Sequence, residues 1–260
     1  MKFLAPCISQ NVLRRPILVL ITALVSCGSA LAQEYPLQYR EYEFSGFAGG
    51  SFIPESHFST PVFGSNQETS RTVEMEYNTG FMFGARVTQN AGENWAGDLE
   101  YTLAIQRLNI NNLSPTIQNL SFNTFIHHLS YNVLYLPRTQ QKRFRPYLSA
   151  GAGVAGYVPS HDNRNSVEQA LEIQNHRTSL GFDLHDSWAF LGNVGGGFKY
   201  LAREGFSFTV DVKDHISTVP SYGFPDAAIV VNGRFRPGID TRGAVHNVQF
   251  NIGFAYQWDP

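Results

Sequence analysis

The strongest constellation for chemistry in this 260-residue chain is His128-Leu129-Ser130. Side chains two apart on a β-strand share a face, so the imidazole could take the hydroxyl proton and activate a nucleophile. Asn132 continues that face, while Leu129, Tyr131 and Val133 occupy the other, so the same pair also reads as polar filling. Gly151-Ala152-Gly153-Val154-Ala155-Gly156 matches GxGxxG after a strand, but Pro159 and a polar stretch follow where a dinucleotide site needs a helix. Its glycines read instead as close packing in a strand wall. Among the eight histidines, His161-Asp162 and Asp183-Leu184-His185-Asp186 could approach a divalent cation, yet no HExxH or CxxC spacing supports a metal site. His127 and His128 point to opposite faces of a strand and cannot share one ion. No cofactor and no metal are expected.

The elements that must position these residues begin after a targeting segment. Lys2, Arg14 and Arg15 precede the apolar run Ile17–Val25, and small residues lead to Ala30-Leu31-Ala32 before Gln33. This is the pattern of a secretory signal peptide cleaved between Ala32 and Gln33. The alternative is a lipobox, Leu24-Val25-Ser26-Cys27-Gly28, with Cys27 lipidated. Cleavage after Ala32 removes three bases and both cysteines (Cys7 and Cys27), leaving 16 bases against 21 acids, a net charge of −5. An exported chain without disulfides needs a large hydrogen-bonded architecture. Charged residues are 15% of the whole chain, against ~25% for a soluble domain. The deficit is filled by neutral polar residues and 23 glycines, and the 20 Phe and 12 Tyr dominate the aromatics. This excludes a disordered chain, a coiled coil and a disulfide scaffold, and the near-neutral charge leaves no footprint for nucleic acid.

Residues 33–260 alternate with period two in eight runs of about ten to sixteen residues. The runs begin near Tyr42, Tyr77, Trp95, Phe125, Pro146, Trp188, Phe206 and His246. The seventh is the clearest, with Phe206, Phe208, Val210 and Val212 alternating with Ser207, Thr209, Asp211 and Lys213. A tilted membrane strand needs ~9–11 residues, more than the ~5–6 usual in soluble sheets. Connections at 54–72, 109–119, 158–186 and 217–243 are long and polar, with a short helix expected over Ser166–His176. Those near 89–94, 137–144 and 201–205 are short. That alternation predicts an all-β, eight-stranded antiparallel up-and-down transmembrane β-barrel with four long loops at one end. Tyr77, Phe81, Phe83, Ala85 and Val87 form the expected lipid face of the second strand.

A charge facing lipid near the midplane costs ~2–4 kcal/mol, so strand charges belong in the lumen. These are Glu43, Asp98, Glu100 and Asp211 against Arg86, Lys199 and Lys213, a nearly balanced polar plug. Eight strands leave an interior that side chains can fill. A lipocalin-like soluble barrel would need a better-charged exterior and would be overfilled by the aromatic faces.

The terminal stretch Asn251-Ile252-Gly253-Phe254-Ala255-Tyr256-Gln257-Trp258 resembles the β-signal of bacterial outer-membrane proteins, with Asn251, Gly253, Tyr256 and Trp258 in its defining places. Tyr131–Pro137, Arg145–Leu148, Gly151–Val154 and Val210–Asp214 look like segments of the OmpA-like β-barrel family, although Arg is commoner there than Lys213. The resemblance covers roughly residues 40–258. It implies the bacterial outer membrane, with lipid and lipopolysaccharide around the wall and assembly by periplasmic chaperones and the barrel-assembly machinery. It does not extend to the peptidoglycan-binding domain of OmpA proper. A structural, adhesive or surface-interaction role through the loops is expected. A narrow or gated porin-like pore is the alternative. The third reading is a lipid A-modifying hydrolase, since His128 and Ser130 resemble the His-x-Ser pair of outer-membrane lipid A deacylases.

Overall fold

One apolar and one polar residue in alternation suit a strand lying between unlike media, and closing such strands on themselves leaves no free edge. The computed structural model describes residues 39–54, 56–63, 69–112, 119–137, 143–160, 184–231, 234–236 and 238–260. In chain order the strands are β1 (Tyr42–Phe52), β2 (Ser56–Phe63), β3 (Thr69–Tyr77), β4 (Gly80–Ala91), β5 (Trp95–Asn111) and β6 (Asn119–Tyr135). They continue as β7 (Phe144–Pro159), β8 (Ser187–Arg203), β9 (Phe206–Thr218), β10 (Ala228–Val231), β11 (Arg234–Arg236) and β12 (Ala244–Trp258). Eight of these form the wall in the order β1-β4-β5-β6-β7-β8-β9-β12, every neighbour antiparallel. β12 returns to β1 from Tyr42↔Trp258 to Phe52↔Val248, which closes the barrel. Wall strands run from 11 to 17 residues. The tight β8–β9 turn places Gly205 at φ +75°, a conformation natural only to a residue without Cβ.

The wall is inside out by the standard of a soluble protein. Phe44, Phe83, Leu99, Tyr131, Leu148, Phe190, Val212 and Phe254 point outward and are exposed, whereas Glu43, Arg86, Asp98, Asn132, Lys199 and Asp211 are buried inside. A continuous apolar belt around a closed cylinder cannot face water, and a closed ladder satisfies every wall amide without solvent. Aromatic residues cluster at the short-turn margin. Tyr42 and Tyr256 stack on Trp258 at 5.9 and 6.2 Å, and Trp95 meets Tyr135 at 5.0 Å, as in an interfacial girdle.

Three expectations are corrected. Tyr77 does not share the face of Phe81: it is buried, while Phe81 is exposed. Tyr77 pairs with Leu108 and Phe81 with Ile105, so three residues on one side stand against two on the other. This bulge inserts one residue, which reverses which face every side chain beyond it occupies. The first long connection is not simply a loop, because β2 and β3 form a hairpin and β3 continues along β5. In the last, β10 pairs with β11 and, in parallel, with β2, extending the sheet beyond the barrel rim. The stretch expected as a short helix, Ser166–His176, lies outside the described residues.

Candidate functional site

The lumen holds two chemistries. At the short-turn half, Arg86 on β4 is the hub, with Nη2 2.6 Å from Glu100 Oε2, Nη1 3.3 Å from Asp211 Oδ2 and Nε 3.6 Å from Asp98 Oδ2. Lys213 Nζ stands 2.6 Å from the same Glu100 oxygen. Neutral donors complete the carboxylates: Tyr147 Oη and Asn251 Nδ2 donate to Asp211, both at 2.8 Å, and Asn132 Nδ2 donates to Asp98 at 2.5 Å. Nearer the turns, Lys199 Nζ lies 2.8 Å from Glu43, which also accepts from Gln257 Nε2 at 2.9 Å. All seven charged residues expected in the lumen are therefore buried there.

The structure adds a fourth base, Arg145, buried with its guanidinium 4.3 Å above the Tyr39 ring. Four bases then stand with four acids inside the wall strands. Buried charges persist only when compensated, so this balance is what permits a filled polar lumen in a membrane. Arg145, Tyr147 and His215 were not assigned to the lumen from the sequence, whereas alternation sets Asn193 and Gln249 on the polar faces of their strands. Strand parity would have found the first three, since 145 and 147 oppose Leu148, and 215 shares the inward face of 211 and 213.

At the long-loop half the interior is mostly apolar. Met82, Leu108, Ile110, Phe122, Ile126 and Leu191 point inward, and Val219, Tyr222, Phe224 and Ile239 from the β9–β12 connection join them. Tyr222 anchors that plug. Its Oη lies 2.9 Å from Tyr77 Oη and 3.4 Å from Thr124 Oγ1, and its ring meets Phe122 edge-on at 5.4 Å. Its backbone is left-handed, at φ +49°, a strained state for a side chain of this size that the surrounding packing holds. Burial pushes its hydroxyl pKa well above the ordinary tyrosine range.

Neither a protein-family model nor a curated protein sequence matches the chain. Solved structures do. The outer-membrane protein OprG from Pseudomonas aeruginosa is similar over 86% of this chain and 99% of its own, with 15% identity and a TM-score of 0.52. Neisserial surface protein A covers 84% of this chain and 96% of its own, with 12% identity and a TM-score of 0.45. The chain has the fold of an eight-stranded outer-membrane β-barrel. With this fold, the long-loop end is the extracellular one and the short turns are periplasmic.

His128 and Ser130 both lie inside this barrel, buried, and no hydrogen bond joins them: Ser130 Oγ has no partner and His128 Nδ1 lies 3.3 Å from Gln249 Nε2. The Gly151–Gly156 stretch lies within β7, which runs on as strand to Pro159. Among the β-signal residues, Asn251 and Gly253 face the lumen while Tyr256 faces out into the girdle, and Trp258 stacks on it. Ala32, Gln33, His161, Asp162 and Asp183 lie outside the described residues, and His185 donates its backbone N–H to Tyr222 O at 3.1 Å. Among the described residues no group of three or more potential metal ligands occurs. Asp214 faces outward near the extracellular margin, where His246 Nδ1 lies 2.7 Å from its carboxylate.

Proposed function

We propose that this chain is a non-enzymatic, integral outer-membrane barrel whose work is surface interaction at its extracellular end, with a lumen closed at neutral pH. The observation that carries this reading is the double closure: a compensated ion network fills the periplasmic half and an apolar plug, led by Tyr222, fills the extracellular half. A pore needs a continuous wet path, and the packed side chains of both halves argue against one. A lipid A hydrolase needs its nucleophile at the lipid face, and His128 and Ser130 point the other way. The sheet extension made by β2, β3, β10 and β11 is the part built outside the membrane, and it offers the surface for a ligand. Lipid and lipopolysaccharide contact the belt, periplasmic chaperones carry the unfolded chain, and the barrel-assembly machinery reads Asn251, Gly253, Tyr256 and Trp258. The wall offers no basic face for nucleic acid.

Planar-bilayer recording of the refolded chain at pH 7.5 tests the closed lumen. No steady openings are expected, and a stable conducting level would overturn the reading in favour of a pore. Lipid A from cells carrying the wild type and Ser130→Ala should be identical, and a difference would restore the hydrolase.

A further inference from the structure

Between the ion network and the apolar plug lies a single layer that neither explains. His128 on β6 and His215 on β9 stack face to face across the lumen, ring centroids 4.6 Å apart and planes 15° from parallel. Both are buried, at 1% and 2% exposure. Around them stand neutral groups: Gln249 and Asn247 on β12, Asn193 on β8, Ser130 on β6 and Ser51 on β1. Nε2 of His128 and Nδ1 of His215 have no partner, nor do Asn193 Oδ1, Asn247 Nδ2, Gln249 Oε1 and Ser130 Oγ.

The charged groups that face this layer are Glu100 from β5, Arg86 from β4, and Lys213 and Asp211 from β9, with His127 outward on β6. The nearby carboxylates are already engaged by cations, and of their oxygens Glu100 Oε1 accepts no hydrogen bond. Glu100 is held by Arg86 and Lys213; Asp211 is held by Arg86, Tyr147 and Asn251. A proton on either ring therefore adds a charge that Glu100 and Asp211, already shared with Arg86 and Lys213, offset only in part, and a second proton sets two like charges face to face in a low-dielectric interior. The layer is placed to pass that strain in both directions. Two residues from His215 on the same inward face of β9, Lys213 grips Glu100. Two residues the other way, Ser217 Oγ lies 2.6 Å from Tyr157 Oη, whose ring meets plug residue Tyr222 edge-on at 6.4 Å.

We propose that the His128–His215 stack is an acid-sensitive latch: protonation drives the rings apart, loosens the lumen on both sides, and admits small ions through a barrel closed at neutral pH. This goes beyond the surface role, which needs only the closed state.

The test is planar-bilayer recording of the full refolded chain in symmetric potassium chloride at pH 7.5 and pH 2.5. Open probability is expected to rise at least tenfold in acid for the wild type, and not for His128→Asn/His215→Asn, whose amides fit the neutral layer but take no proton. A wild type equally closed at both values overturns the latch, and so does a double variant that opens in acid as the wild type does. Openings already present at pH 7.5 would overturn the closed-lumen reading instead, so the two failures are distinguishable. Should the double variant fail its heat-dependent gel shift, imidazole ¹⁵N spectra of the wild type decide. Both rings neutral at pH 7.5 and charged in the acid-open state support the latch; rings still neutral in that state overturn it.

Discussion

Arg86→Met removes the hub of the lumen while keeping most of its volume and its contact with Phe47, over whose ring the guanidinium now lies at 4.9 Å. The variant leaves three bases against four acids in the wall strands. It strips Asp98, Glu100 and Asp211 of a partner at 3.6, 2.6 and 3.3 Å. Each such contact is worth about 5 kcal/mol of raw attraction at an effective dielectric of ~20. Most of that offsets the desolvation of the ions, so the measurable loss is the cost of stranded carboxylates, about 3–5 kcal/mol. Arg40 makes a sound comparison: its bond to Glu204 is 2.8 Å, as short as the lumen contacts, but the two side chains are 34% and 73% exposed. Arg40→Met should therefore cost under about 1 kcal/mol. Urea unfolding in lipid vesicles, followed by the fluorescence of Trp95, Trp188 and Trp258, measures both. Adding Glu100→Gln to Arg86→Met restores a three-to-three balance, so the double variant should lose less than the sum of the single losses by ~1–3 kcal/mol. Equal losses for Arg86→Met and Arg40→Met, or strict additivity with Glu100→Gln, would refute the compensated-plug argument.

Gly49→Ala places a methyl against the Phe250 carbonyl of the neighbouring strand and should lower stability by at least ~2 kcal/mol, whereas Gly46→Ala, with nothing near its outward position, should unfold as the wild type does. Tyr222→Phe removes the hydroxyl that joins Tyr77 and Thr124, so hydrogen exchange across residues 219–224 should rise by the equivalent of about 1–2 kcal/mol while the wall stays protected. At the rim, hydrogen bonds from Arg242 hold the Asp240 carboxyl below the usual aspartate range. Because the folded value is lowered, the contribution of this contact is present above the ordinary aspartate pKa and lost as pH falls through the lowered one. Arg242→Ala should return the Asp240 midpoint, read by carboxyl ¹³C shifts, toward the ordinary value.

Alternation was a reliable guide wherever the two faces of a strand meet different media. Phe206, Phe208 and Val212 against Ser207, Thr209 and Asp211 could be assigned outward and inward from residue types alone, because lipid excludes charge and the lumen requires compensation. It misled at Tyr77, where one inserted residue opposite Leu108 and Ile105 reverses the phase without altering the composition of the run. It was silent in the extracellular half, where Met82, Ile126 and Leu191 line the interior as apolar residues behind an apolar wall. There the period remains but its contrast is gone. Polarity likewise concealed β2, β3, β10 and β11, which pair with one another outside the membrane and so have no need of a lipid face.

The site depended on information of another kind. Parity assigned Arg86 and Asp211 to the lumen, but not to each other: they are 125 residues apart and meet because β4 and β9 face across the closed wall. The His128–His215 stack has the same origin, joining strands that are not neighbours. Closure therefore does more than remove an edge. It turns inward-facing side chains that are individually costly in a membrane into a compensated set, and a layer of two stacked histidines among neutral groups is where such a set is easily undone.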